Sequence, residues 1–303
     1  MPLIPAFLFS VSMALAFASS AHAEIRVLTS IKPLQLIAAA VQDGVGTPDV
    51  LLPPGASPHH FTLRPSDIIR VREADLLYWI GPDLESFLPR VLSGRERPSV
   101  AVQALPGLTL RHFGEGEHHH HEHDGEQHDH AHRPGSLDAH LWLLPANARV
   151  IAAKMAADLV AADPGNAARY QANLQAFEQR LASLDGELKS RLAPLAEQPF
   201  FVFHQAFDYF ESAYGLEHAG VFSAASEVQP GARQVAAMRE RLKAAGPACV
   251  FSEPPLRPRL AETISAGLPV QLAELDALGA SAQSYEQLLR NLADGLAGCL
   301  ESL

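Results

Sequence analysis

The chain has 303 residues, 48% hydrophobic and 19% charged, which is ample for a substantial core and close to the length at which chains divide into two lobes. Its formal net charge of -11 argues against nucleic acid or an anionic membrane surface as partner and suits a cationic ligand.

Residues 1–23 contain no Lys, Arg, Asp or Glu, are apolar from Leu3 to Ala18 and end in Ala21, His22, Ala23. This is the pattern of a secretory signal peptide with an A-x-A cleavage site, so the mature chain is expected to start at Glu24. The positive n-region is missing, and only the terminal amine supplies charge there. The apolar run is short for a retained anchor, and no later stretch is apolar enough to cross a bilayer. No Cys follows the cleavage site, so lipidation is not indicated. In an exported chain two cysteines, Cys249 and Cys299, read as a disulfide. Closing a loop of that separation stabilises by roughly 4 kcal/mol in the chain-entropy model and staples the C-terminal helix to its lobe. Metal ligation by the pair is disfavoured, because neither has a Cys or His at ligand spacing nearby.

From Glu24 the pattern is a strand (Ile25 to Ser30), a helix opening at Pro33, a second strand (Asp49 to Leu52) stopped by Pro53, Pro54 and Gly55, and then the loop GASPHHFTLRPSD over 55–67. That loop carries His59 and His60 at the carboxyl end of a strand, where α/β units bind ligands. His60, adjacent in an extended backbone, points elsewhere and reads as exposed. A third strand (Asp75 to Ile80), the turn Gly81, Pro82 and a fourth strand (Ser99 to Gln103) complete an α/β lobe with a mostly parallel sheet, residues 24–146.

Inside that lobe lies a flexible loop, 112–134, with nine histidines between His112 and His132 and six acids among them. Such a segment cannot build a core, and its imidazoles and carboxylates are metal-collecting chemistry. Its candidates for loose, exchangeable binding are His118, His119, His120, His121, His123, His128, His130 and His132. The order returns at Asp138, and His140 then stands in the apolar frame of Leu141, Trp142, Leu143 and Leu144, a fixed address rather than a flexible one.

Residues 147–195 form a helical connector. Within it, 166–195 reads as one long helix, since Tyr170, Leu174, Phe177, Leu181, Leu184 and Leu188 recur at helical spacing over about 40 Å. A coiled-coil seam is disfavoured, because the repeat lacks ordered charge pairs beside it. The expectation is a monomer with this helix running stiffly along both lobes. Residues 196–303 restart the βα rhythm with strands at Phe200 to Phe203, Leu216 to Ser223, Ala248 to Ser252 and Leu268 to Leu275. Helices follow Pro230 and Ser284. His204 and Asp276 stand at strand ends, as His59 does. Three neutral imidazoles, His59, His140 and His204, with Asp276, a water or a loop histidine in a fourth position, make a zinc site in this reading. Glu253, also at a strand end, reads as a salt-bridge partner, and His218 has no supporting context.

The phrases GASPHHFTLRPSD, ADLLYWIGPDLESFL, DAHLWLLP, DPGNAARYQANLQAFEQRL, FFVFHQAFDYFESAYGL, ACVFSEPPLRP and LDALG occur in order along the mature chain. Together they resemble the zinc-specific periplasmic solute-binding proteins of bacterial zinc ABC importers. The resemblance implies a cluster A-I fold: two (β/α) lobes joined by a rigid helix, with zinc in the cleft between them. It implies a location in the periplasm, Zn(II) as transported ligand and a membrane permease as partner. By position it carries the ligands onto His59, His140 and His204, and the cysteine pair onto Cys249 and Cys299. Pro58 stands where some zinc-type members have a ligating Glu. Manganese-type relatives have a carboxylate at the position of His204, so three histidines favour zinc by ligand softness. The expected function is a zinc receptor rather than an enzyme. The alternatives are a manganese-type relative, or a secreted zinc hydrolase or lyase, which the absence of an H-E-x-x-H motif disfavours.

Overall fold

Among the residues that the computed structural model describes, 24–114, 135–223, 231–254 and 259–303, short buried strands alternate with amphipathic helices twice over. The expected signal peptide, 1–23, and loop histidines 118–132 lie outside the described residues. The first set runs β1 (Val27–Thr29), α1 (Lys32–Gln42), β2 (Asp49–Val50), α2 (Pro65–Glu73), β3 (Leu76–Trp79), α3 (Pro89–Leu92) and β4 (Ser99–Ala101). Its strands form a parallel sheet in the order β2-β1-β3-β4. Proline in the first turn starts α1 and α2, where the missing N–H costs no helical hydrogen bond. At α2 the Asp67 carboxylate also accepts the Arg64 N–H at 2.9 Å, capping the helix from its third residue.

Two helices follow, α4 (Pro145–Ala162) and α5 (Ala167–Leu192). The expected helix over 166–195 is thus α5 flanked by single 3-10 turns at Pro164–Asn166 and Ala193–Leu195. Prolines at both places deny the α-helix a donor. Then come β5 (Phe200–His204), α6 (Asp208–Tyr214), β6 (Gly220–Ser223), α7 (Ala232–Ala245), β7 (Ala248–Ser252), α8 (Arg259–Ser265), β8 (Val270–Glu274) and α9 (Tyr285–Leu300). These strands form a second parallel sheet, ordered β6-β5-β7-β8. Gly215, at φ 71°, ends α6 in the left-handed conformation that glycine adopts without strain. The Cys249–Cys299 disulfide, with Cα atoms 6.1 Å apart, ties β7 to α9.

Several strands are shorter than the sequence suggested. Leu51 and Leu52 fall outside β2, yet their N–H groups still reach Thr29 and Ser30 carbonyls at 2.8 and 3.0 Å, so the hydrogen bonding continues where the chain begins to turn. Three short helices, α3, α6 and α8, were not expected.

The two sheets do not carry two separate cores. One cluster of buried residues runs from Val27, Leu34 and Ile37 through Trp142, Phe177 and Leu184 to Phe200, Tyr285 and Leu296. Helix α5 packs on α1 and α4 on one side and on α6 and α9 on the other, and α1 itself touches α9. Its residues Tyr170, Phe177, Leu181, Leu184, Leu188 and Leu192 are buried along the seam. Each such side chain contributes about 1.5–3 kcal/mol on burial, so the lobes are joined by apolar packing as well as by the chain. A smaller cluster around Phe201, Phe222, Leu242 and Val250 lies on the other face of the second sheet, under α7 and α8. Among the described residues no helix is long and apolar enough to cross a membrane.

Candidate metal centre

Strand ends in parallel sheets leave the chain pointing out of the sheet at one rim; His204 and the loop of His59 come from such positions, while His140 comes from the segment that leads into α4. His204 is the last residue of β5 and is paired with Ser223 of β6. His59 lies between β2 and α2, in a loop begun by Pro53, Pro54 and Gly55, the last at φ 77°. Its backbone N–H meets Ser57 Oγ at 3.3 Å, and Ala56 N–H meets the Pro53 carbonyl at 3.1 Å, both local bonds. His140 precedes the 3-10 turn Leu141–Leu143, and its carbonyl accepts the Leu143 N–H at 3.1 Å.

Fold alone brings these residues together. Ring centroids are 5.0 Å apart for His140 and His204, 5.2 Å for His59 and His204, and 5.4 Å for His59 and His140. One ligating atom from each lies within 4.8 Å of the others. A tetrahedral zinc with Zn–N bonds of about 2.0–2.1 Å needs nitrogens roughly 3.3 Å apart, so a modest inward rotation of the rings closes the site. His140 and His204 are buried and His59 is half-buried.

Each histidine must be neutral to ligate, and its second nitrogen should be held. Asp138 does this for His140. Its Oδ1 meets the His140 backbone N–H at 3.0 Å and Nδ1 at 2.8 Å, so Nε2 is the nitrogen that His140 offers to an ion. Burial, followed by the neighbouring Asp208 carboxylate, pushes the Asp138 pKa well above the ordinary carboxyl range. A cation on His140 acts in the opposite direction and favours the carboxylate. Glu253, just past β7, sets Oε1 3.3 Å and Oε2 3.4 Å from His204 Nδ1. Burial, with His204 and His60 nearby, lowers the His59 pKa to about 3, so its ring is neutral and ready to donate a lone pair at neutral pH.

Asp276 stands apart from this cluster. Its Oδ1 accepts the N–H groups of Leu278 and Gly279 at 3.0 and 2.9 Å, and its Oδ2 accepts that of Ala280 at 2.6 Å. The carboxylate organises the turn after β8, and it is not among the residues whose ligating atoms converge. His60 is exposed. At the root of the histidine-rich loop, His112 bridges Leu137 and Phe113 N–H meets the Ser136 carbonyl at 3.0 Å.

Two features escaped the sequence reading. Asp138 had a signal, an acid two residues before a histidine, the spacing at which an Asp side chain folds back on its own backbone. His218 had none. Its Nδ1 lies 3.0 and 2.9 Å from the two oxygens of Glu211, a contact made only because the chain reverses after α6.

The family model described as "Zinc-uptake complex component A periplasmic", ZnuA, matches residues 27–299. The chain belongs to the ZnuA family. The high-affinity zinc uptake system protein ZnuA of Brucella abortus (strain 2308) is 37% identical over 304 residues, covering 90% of this chain and 91% of that protein. Its namesake from Yersinia pestis is 37% identical over 289 residues, covering 91% of each. A crystal structure of ZnuA superposes with a TM-score of 0.77 at 24% identity, over 92% of this chain and 100% of that one, which shows the shared fold. In family terms the rim carrying the three histidines is the cleft face of a bilobed solute-binding protein, and two parallel sheets joined by a long helix are its frame.

Proposed function

We propose that this protein is the high-affinity Zn(II) receptor of an ABC importer, capturing zinc in the periplasm and delivering it to the membrane permease. It is a receptor and not an enzyme. The observation that carries the reading is the convergence of His59, His140 and His204, with Asp138 holding the second nitrogen of His140. Three neutral imidazoles in a partly buried pocket suit a borderline-soft cation. Manganese, which takes oxygen ligands more readily, is disfavoured. Family membership places the protein in the periplasm and supports, as our reading, a membrane permease as its partner. The rest of the assignment is ours: His59, His140 and His204 are the zinc ligands, and the protein acts as a monomer. The chain divides into a signal peptide at 1–23, lobes at 24–146 and 196–303, and a connector at 147–195.

The fourth position goes to a water or a loop histidine in this reading, because both Asp276 oxygens already serve backbone N–H groups. The acidic, histidine-rich loop collects zinc weakly and exchanges it with the pocket, as its composition of imidazoles and carboxylates suits.

The test is a calorimetric zinc titration of the mature protein and of a His59→Ala, His140→Ala, His204→Ala variant, each with Mn(II) as competitor. The reading expects one tight, manganese-resistant zinc site that disappears in the variant while weaker sites remain. Tight binding that survives the triple substitution overturns it and moves the primary site to the loop.

A further inference from the structure

The three ligands are not held alike. The turn that carries His140 is tied locally, by the Asp138 N–H on the Arg111 carbonyl at 2.9 Å and by Asn147 Nδ2 on the Leu141 carbonyl at 3.1 Å, and it is also fastened from the C-terminal half. The Trp142 indole N–H donates to the Ala277 carbonyl at 2.8 Å. The Tyr285 hydroxyl, from α9, donates to the Trp142 carbonyl at 2.6 Å. The Tyr209 hydroxyl, from α6, donates to the Asp138 carbonyl at 3.0 Å and accepts the Arg111 N–H at 2.9 Å. Trp142, Tyr209 and Tyr285 are each fully buried. His204 is separated from α6 by three residues, so the element that anchors Asp138 also follows directly from the strand that ends in His204. His59, by contrast, sits in a loop that rests on the core through Ala56, Phe61 and Leu63 but leaves Pro53, Pro54, Gly55, His60 and Thr62 exposed. With one apolar core running through both lobes, the 53–64 loop is the part of the site that can move at least cost.

From these contacts we infer that the site is built as two plus one. His140 and His204 form a pre-set pair in one rigid body, His59 is the ligand that comes and goes, and Trp142, Tyr209 and Tyr285 are positioning residues for His140. Zinc lands first on His140 and His204 and is locked when the loop brings His59 in. Release runs in reverse, with the loop withdrawing, and needs little separation of the lobes. This rests on the assignment of the three histidines as zinc ligands.

The experiment is a set of zinc competition titrations against a chromophoric chelator on the full mature protein. His59→Ala, His140→Ala and His204→Ala are compared first. His59→Ala leaves the pre-set pair and raises Kd least of the three. The variant Trp142→Phe with Tyr285→Phe then removes two fastenings while leaving an aromatic ring, smaller at 142, in each place, and raises Kd by about tenfold, the lower end for loss of a group that supports a ligand. The same pair of changes raises Kd equally in a His59→Ala background and has no effect in a His140→Ala background. A merely structural role would weaken binding in all three. If that double variant does not fold, judged by its melting transition, Tyr209→Phe takes its place in the same cycle. The inference fails if His59→Ala costs as much as the other two, or if the positioning changes weaken the His140→Ala protein. Should all three single alanine variants bind zinc as the parent does, the ligand assignment itself is wrong.

Discussion

Asp138→Ala is the change whose effect on zinc can be worked most directly from the structure. Asp138 is 1% exposed, and its Oδ1 serves two N–H groups of His140, the backbone at 3.0 Å and the ring at 2.8 Å. Alanine strips both of their acceptor in a buried setting and leaves the imidazole free to turn. Each orphaned buried donor costs about 1–3 kcal/mol. The backbone bond is lost with and without zinc, so it weighs on stability rather than affinity. The ring bond is different, because it strengthens when a cation on Nε2 makes Nδ1–H more acidic. Loss of such a partner lowers metal affinity by about 10–100-fold, or roughly 1.4–2.7 kcal/mol. Asp138→Asn keeps a carbonyl acceptor and loses only the charge, so less than a tenfold loss is expected. The assay is chelator competition for Kd, with the zinc-induced rise in melting temperature as a second readout. An Ala variant that binds zinc within twofold of the parent, or Asn and Ala variants that bind equally, would refute the orienting role.

Glu85 sets a pH dependence of the opposite kind to acid denaturation. It is fully buried and accepts from Ser30 Oγ, from Ile80 N–H at 3.2 Å and from Gly81 N–H at 3.0 Å, and burial raises its pKa from 4.5 to about 7. The folded protein therefore keeps a proton that the unfolded chain has released, so this group's contribution falls as pH rises from 4.5 to 7 and is constant above. At about 1.4 kcal/mol per pH unit the loss is roughly 3.5 kcal/mol. Urea unfolding in the presence of chelator should show that slope in the parent and not in Glu85→Gln; equal slopes would remove the explanation. Replacing Cys249 and Cys299 together by Ala should cost up to about 4 kcal/mol in the same unfolding assay, because the bond closes a 50-residue separation, while zinc affinity stays unchanged. Asp276→Ala should lower the melting temperature by loosening the turn that its carboxylate caps, with zinc Kd within twofold; a tenfold loss would return Asp276 to the ligand set. Deleting 115–134 should abolish the weak zinc sites seen by calorimetry and leave the tight one, and a stoichiometry unaltered by the deletion would rule out the loop as a collector.

The parts of this molecule that were legible in the sequence are those in which local pattern and burial agree. The run FFVFH at the start of the second sheet is both β-prone and buried on both faces, as a central parallel strand requires. Along α5 the helical spacing of apolar residues marks the buried seam. Helix α6 was missed because DYFESAY is short and aromatic, and only its packing against α5 and the turn after His140 selects a helix over a strand. At the site, His59 and His204 could be named because strand ends are recurring ligand positions, His140 because it stands in an apolar frame, and all three because the surrounding phrases carry a family resemblance. Their supports could not be read in the same way. Trp142 meets Ala277 and Tyr285 from more than a hundred residues away, and a contact between distant side chains leaves no periodic trace. The expectation for Asp276 placed it at the right strand end, but which way a carboxylate turns depends on the backbone donors it meets there, and three N–H groups of the following turn meet it first.

The apolar seam between the two sheets has a practical consequence for anyone wishing to turn this protein into a zinc reporter. Fluorophores placed one on each lobe, the arrangement that suits hinged sugar-binding receptors, would sit on a body that hardly changes its end-to-end distance, because α1, α5 and α9 are packed as one. A single environment-sensitive dye at His60, exposed beside His59, would instead ride on the segment that senses the ion, and its emission would report occupancy without asking the lobes to part.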